Sequence, residues 1–285
     1  MTKSPLPPAS IGGALIITVA GIGAELSKKE TPYVPTTPDE ILAEAVRIKK
    51  AGAHVLHLHV RDRHGKPTLD KKIISPLIQK IREKTGLILQ ISTGGAIGDS
   101  DEARLGVLDC DVEMGSLTLG SVNFGKEVFS NPLPLIEKLA ETMQRKKIRP
   151  ELEIFDAAMA EVPGKLLKKG LLTKPLHFNI ILGGPGWLAA TVENLEFILK
   201  KLPEGSTWSA SGVGAGQLPM IEYAVAHGGH ARTGLEDNIY LSKGVLAKGN
   251  VELVEQVKEL AKKYKRKIAT INEAKIILGL SCSSM

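Results

Sequence analysis

Short apolar runs alternate with amphipathic stretches from one end of this chain to the other. Runs of four to eight residues, rich in Ile, Leu and Val, read as strands buried on both faces. They fall at 14–21, 54–60, 87–92, 111–116, 151–155, 177–182, 207–210 and 231–235. Between them, apolar residues recur at helical spacing over 37–52, 69–84, 131–145, 188–201, 218–226 and 251–264, with a last helix at 272–278. The first helix carries its own punctuation. Thr37 is a cap residue, Pro38 sits in the first turn, Glu40 follows three positions after the cap, and Gly52 is the stop.

Eight strands alternating with helices predict a (β/α)8 TIM barrel, one domain over 1–285. A doubly wound open sheet is the alternative. No Gly-rich dinucleotide fingerprint follows the first strand, which counts against it. No Pro/Ser-rich linker or low-complexity tract marks an internal boundary, and only the ends, 1–10 and 281–285, look loose. The apolar stretch 11–22 is preceded by one lysine, and no small-residue cleavage site follows it. It reads as a first strand rather than a signal peptide.

One run breaks its own pattern. Residues 56–60 read Leu-His-Leu-His-Val, so His57 and His59 share one face while Leu56, Leu58 and Val60 take the other. Two imidazoles one pleat apart suit a single metal ion better than two separate core hydrogen bonds. In a barrel, reactive side chains gather at the C-terminal strand ends, and here those ends are polar. They include Glu25 after the first strand, Ser92 to Gly95 after the third, Ser116 at the fourth, Glu153 and Asp156 at the fifth, and Arg232 to Asn238 at the eighth.

Glu236 is the preferred third ligand, because alternation along the eighth strand puts Arg232, Gly234 and Glu236 on one face. Glu222 and Asp62 compete for the role. Two imidazoles and one carboxylate leave an open position, the pattern of a catalytic site, and the donor set suits zinc. Asp237, backed by Arg232, reads either as a plain salt bridge or as an aimed base. Ser92, Ser116 and the backbone of Gly94 and Gly95 offer donors to a substrate carboxylate.

Composition narrows the partners. The net charge is +6, but much of the excess lies in a run at 258–267 that reads as solvated surface. Aromatic residues make up 4%, too few for a nucleic-acid stacking platform, so small anionic substrates fit the basic balance better. No stretch is long enough to span a membrane. Two cysteines, Cys110 and Cys282, make no disulfide framework and suggest a reducing, cytoplasmic setting. Gly-rich loops at 183–187 and 211–217 follow the sixth and seventh strands, a region where barrels bind phosphate, so a pyrophosphate-bearing coenzyme is plausible.

The chain resembles the β-keto acid cleavage enzymes over nearly its whole length. The resemblance rests on PYVPTTPDE at 32–40, HLHVRD at 57–62, QISTGG at 90–95, MGSLTLGSVNFG at 114–125 and ELEIFD at 151–156. WSASGVGAGQLPM at 208–220, GGHARTGLEDNIYL at 228–241 and ATINEAKIILGL at 269–280 complete it. It implies a TIM barrel, a homotetramer, a zinc ion on His57, His59 and Glu236, and acetyl-CoA as co-substrate. It implies an acid/base pair at Asp237 and Arg232, and substrate contacts at Ser92, Gly95 and Ser116, with Glu153 nearby as a further catalytic residue. The position of Ser116 is often threonine in the family; serine keeps the hydroxyl and changes the packing. The resemblance is nearest to members that act on 3-keto-5-aminohexanoate in lysine degradation. In those members an acid at the place of Glu25 receives the substrate ammonium. A metal-dependent hydrolase on the same scaffold is the competing enzyme reading, with His177 and His230 as its extra ligands; a non-catalytic binding barrel is the third.

Overall fold

The computed structural model describes residues 13–281. Eight parallel strands close into a barrel in chain order: β1 (Ile17–Ala20), β2 (Val55–Leu58), β3 (Ile88–Ile91), β4 (Met114–Thr118), β5 (Arg149–Ile154), β6 (His177–Leu182), β7 (Thr207–Gly212) and β8 (His230–Thr233). The closing pair sets Thr18 of β1 beside Arg232 of β8. Helices follow the strands one for one: α1 (Pro38–Ala51), α2 (Lys71–Thr85), α3 (Asp101–Gly106), α4 (Leu133–Lys146), α5 (Val162–Lys168), α6 (Val192–Leu199), α7 (Gln217–Ala226) and α8 (Asn250–Lys263). A ninth, α9 (Ile271–Ile277), starts at a capping box of Thr270 and Glu273. The expected barrel is what folds, and the open sheet is not.

Local signals act as their chemistry predicts. The Thr37 hydroxyl accepts from the Glu40 amide, and Gly52 ends α1 in the left-handed region at φ 110°. Several boundaries move. The fourth strand shifts from 111–116 to Met114–Thr118, and the eighth ends at Thr233 rather than 235. The helix expected from 188 starts at Val192, because the Thr191 side chain caps it and Leu188 is tied back to the Gly183 amide. The short helices α3 and α5 and two small hairpins, 122–129 and 240–246, carry too little periodicity to be read in advance. Of the ends expected to be loose, 1–10 and 282–285, with Cys282, lie outside the described residues; Ser281 is exposed. Cys110 is a buried free thiol. Among the described residues no helix is long and apolar enough to cross a membrane.

The alternation in β2 works as read. Leu56 and Leu58 join the large core between strands and helices, with Ile17, Val19, Ile41 and Ile48. Val55 instead joins Ile16, Ile88 and Met114 in an apolar floor inside the barrel, closed from below by Ala274 and Leu278. Above that floor the barrel filling turns polar: Thr18, His57, Gln90, Glu151, Asn179, Ser209 and Arg232 are all buried. Aliphatic layers are the usual filling of such a barrel, and polar groups there need partners. They have them. Asn179 Nδ2 donates to Glu151 Oε2 at 3.1 Å, and Ser209 Oγ donates to Asn179 Oδ1 at 3.1 Å. This hydrogen-bonded layer is the platform on which the cavity at the barrel mouth stands.

Candidate active site

His57 and His59 point into the top of the barrel, with ring centroids 5.2 Å apart. Glu236 meets them. Its Oε1 lies 3.7 Å from His57 Nε2 and 3.8 Å from His59 Nε2. The route differs from the one read in the sequence. Glu236 is not on the strand but on a turn beyond it, reached through Gly234 at φ 138°. A Cβ on Gly234 would stand 2.0 Å from the Ala20 carbonyl oxygen, and that oxygen accepts from the Glu236 amide at 3.1 Å. The chain therefore hugs β1 here, which only glycine permits.

The donor set fits a metal. The Gln90 Oε1 lies 2.6 Å from His57 Nδ1. A carboxamide oxygen only accepts, so Nδ1 carries the hydrogen and Nε2 presents a lone pair toward Glu236. The three ligand atoms all lie within 4.8 Å of one another, and tetrahedral zinc needs them about 3.3 Å apart. Glu236 Oε2 is buried and has no hydrogen-bond partner. Burial pushes the His59 imidazole down to about 4, so it stays neutral and ready to ligate. Burial works to raise the Glu236 carboxyl, but the His57 and His59 rings and the Arg232 guanidinium facing it keep it below its ordinary range.

The two competing ligands are elsewhere. Asp62 Oδ1 accepts from the His64 and Lys66 amides in a surface turn. Glu222 pairs with Lys263 and Tyr264 on the barrel exterior. The extra histidines of the hydrolase reading also miss the mouth. His177 lies lower, with Nδ1 on Thr207 and Nε2 3.6 Å from Glu151, and His230 accepts from the Ile16 amide in the floor.

Arg232 organises the acids. Its Nε and Nη2 grip both oxygens of Asp237 at 2.9 and 3.0 Å, and Nη2 also donates to Glu236 Oε1 at 2.8 Å. Burial disfavours this guanidinium charge, but Asp237, Glu236 and Glu153 outweigh it and keep it well above its ordinary range. Arg232 Nη1 is left without a hydrogen bond, 3.6 Å from Glu153 Oε1. Glu153 accepts from the Thr118 hydroxyl at 2.7 Å, and burial raises its carboxyl despite His57 and Arg232 nearby. Ser211 donates to Asp237 Oδ2 at 3.0 Å.

One cavity holds most of the residues singled out from the sequence: Glu25, His57, His59, Ser92, Gly95, Glu153, Arg232, Glu236 and Asp237 all line it. Ser116 does not. It is buried, and its hydroxyl accepts from the Thr93 amide at 3.1 Å while its carbonyl accepts from the Thr93 hydroxyl at 2.7 Å. It braces the loop after β3 instead of facing a ligand. Sequence reasoning missed Gln90, Ser211 and the apolar wall of Phe124, Phe155 and Trp187, in which the Phe124 and Phe155 rings stand 5.3 and 4.9 Å from that of Trp187. Gln90 did leave a signal, as the one polar residue within the run 87–91.

Residues 14–280 match the family model described as beta-keto acid cleavage enzyme. The chain belongs to that family. A 3-keto-5-aminohexanoate cleavage enzyme of Fusobacterium nucleatum is 44% identical over 93% of this chain and 98% of its own length. A 3-oxoadipate:acetyl-CoA acetyltransferase of Cupriavidus necator is 37% identical over 93% of this chain and 94% of its own length. Among solved structures, a ternary complex of ObcA with a C4-CoA adduct and oxalate superposes with a TM-score of 0.73 at 21% identity, over 87% of this chain and 68% of that one; it speaks for the barrel fold alone.

Proposed function

We propose that this family member is a zinc-dependent acyltransferase that cleaves 3-keto-5-aminohexanoate with acetyl-CoA, giving acetoacetate and 3-aminobutanoyl-CoA. The observation that carries the reading is the convergence, in one cavity, of the His57–His59–Glu236 donor set, the Arg232–Asp237 pair and the Glu25 carboxylate. His57 Nε2, His59 Nε2 and Glu236 would hold the metal. When bound, it supplies Lewis acidity to the keto oxygen of the substrate.

Asp237 is the proton acceptor in this reading. C2 of a β-keto acid lies next to two carbonyl groups, and Asp237 takes its proton. The Arg232 fork aims the carboxylate, since both its oxygens are already tied to that side chain. C2 then bonds to the acetyl carbon of acetyl-CoA and CoA leaves as thiolate. The thiolate adds to C3, the C2–C3 bond breaks, and the electron pair left on C2 takes back the proton from Asp237. Arg232 Nη1 and Glu153 flank these carbons, and Ser92 with the backbone of Gly95 faces the substrate carboxylate. Glu25 at the rim matches the ammonium of the amino acid chain. A dianionic keto acid such as 3-oxoadipate would meet repulsion there.

The coarser support is the family and the names of its members; the choice of substrate rests on Glu25. Lysine degradation as the setting, a homotetramer as the assembly and the cytoplasm as the place follow the same resemblance. The test is turnover of 3-keto-5-aminohexanoate with acetyl-CoA, read as acetoacetate, with and without chelator. We expect product only with acetyl-CoA and only with metal. Product without acetyl-CoA would instead mark a hydrolase.

A further inference from the structure

Arg61 has a place and a set of partners that the proposed reaction leaves unexplained. It follows the metal-site histidines by two residues and is 3% exposed. Among the described residues it forms no ion pair, since every partner of its guanidinium is a backbone carbonyl. Nη2 donates to Gly23 O at 2.8 Å and to Leu26 O at 2.6 Å, and Nη1 donates to Gly65 O at 3.1 Å. Arginine is the residue whose rigid fork reaches several fixed acceptors at once.

The two carbonyls gripped by Nη2 bracket Glu25. Residues 23–26 make no backbone–backbone hydrogen bonds. Leu26 packs its side chain against Val34, Leu235, Ala247 and Leu253, and the Arg61 guanidinium holds the backbone on both sides of Glu25. Gly23 takes φ 65°, and a Cβ there would stand 2.9 Å from Glu236 Cγ, so the segment lies directly on the arm of the metal carboxylate. Glu25 itself is exposed at the rim and lines the cavity, while Arg61 does not. Without that grip the backbone around an exposed carboxylate would sample more positions, and its pull on a cation would be spread over all of them.

We infer that Arg61 is a positioning residue for substrate choice: its grip on Gly23 and Leu26 fixes Glu25 where a substrate ammonium arrives. It acts through the loop and touches no substrate atom. The inference rests on the reading that Glu25 receives an amine.

The test uses the full-length, metal-loaded enzyme and Arg61→Lys, which keeps the charge and loses the fork. The main readout is the ratio of kcat/KM for 3-keto-5-aminohexanoate to kcat/KM for 3-ketohexanoate, the same chain without its amine. Arg61→Lys should lower that ratio about tenfold, the scale of a sub-ångström misplacement, and do so through KM of the amine substrate. In a Glu25→Gln background the same change should move the ratio less than about twofold, because the two act as one unit. Cleavage by a glutamate-specific protease after Glu25 should speed up, with metal content retained and the circular dichroism of the barrel unchanged. An unchanged cleavage rate overturns the inference. Faster cleavage with an unchanged ratio, where Glu25→Gln does lower it, overturns the role in selectivity. If neither variant changes the ratio, it is the amine reading of Glu25 that fails, and the selectivity role falls with it.

Discussion

His57 Nδ1 lies 2.6 Å from Gln90 Oε1, one rung across the ladder between β2 and β3. That bond fixes the imidazole tautomer and turns Nε2 toward Glu236. Gln90 is fully buried, so nothing from solvent substitutes for it. Gln90→Leu keeps the volume and removes the acceptor. It should weaken metal binding by about 10- to 100-fold, the usual effect of losing a hydrogen bond behind a ligand, with little change in fold. Competition against a chromophoric chelator measures the first and circular dichroism the second. Unchanged affinity would mean that the tautomer is set by the metal alone.

The two histidines were legible because strand side chains alternate, and no tertiary information is needed to see that His57 and His59 share a face. The barrel was legible for the same reason, from apolar runs repeated along the chain. Glu236 was reached by a false route. Alternation along β8 was extended past Thr233, where the strand has already ended, and the turn at Gly234 happens to deliver the carboxylate to the same place. Ser116 shows the opposite failure. It was read as a strand end, but β4 runs on to Thr118, and its hydroxyl is occupied by the Thr93 amide of the neighbouring strand's loop. Arg61, Gln90 and Ser211 went unassigned because their roles depend on which strands and loops are neighbours, and local sequence does not encode that register.

Gly23→Ala tests how closely the first loop packs on the metal arm. A residue with a Cβ pays about 1–2 kcal/mol to hold the left-handed region, and here the new methyl also meets Glu236 Cγ at 2.9 Å. Both stability and metal affinity should fall. Gly86→Ala is the control, at φ 61° with open space around it, and should lose stability alone. Equal metal affinity in the two variants would show that the loop yields freely.

Asp237→Asn should lower kcat by about 100- to 10,000-fold, the range for removing a general base, while the metal stays bound. Ser211→Ala removes one of three hydrogen bonds to the Asp237 carboxylate and leaves the Arg232 fork in place. Its loss should be near tenfold or less, the worth of about one hydrogen bond. Rapid-quench turnover with saturating substrates separates the two. A Ser211→Ala defect as large as that of Asp237→Asn would make the serine part of the chemistry instead of a support.

Acid should destabilise the metal-free protein below about pH 6.5. Burial lowers the imidazoles of His54, His59 and His230, that of His59 to about 4. The geometry agrees for two of them: His54 Nδ1 accepts from the Ile17 amide and His230 Nδ1 from the Ile16 amide, and both bonds need a neutral ring. In the unfolded chain each ring takes a proton near its ordinary value of 6.5. Between that value and the lowered folded one, the unfolded state binds more protons, so stability rises with pH there and is lost as pH falls. Glu153 works the other way, because its raised carboxyl takes a proton earlier when folded, but it is one group against three. The urea midpoint of chelator-treated protein should therefore fall steadily from pH 7 to pH 4.5, and His54→Gln, which can still accept from the amide, should flatten the slope. A midpoint independent of pH over that range would mean that the buried rings open to water before the barrel unfolds.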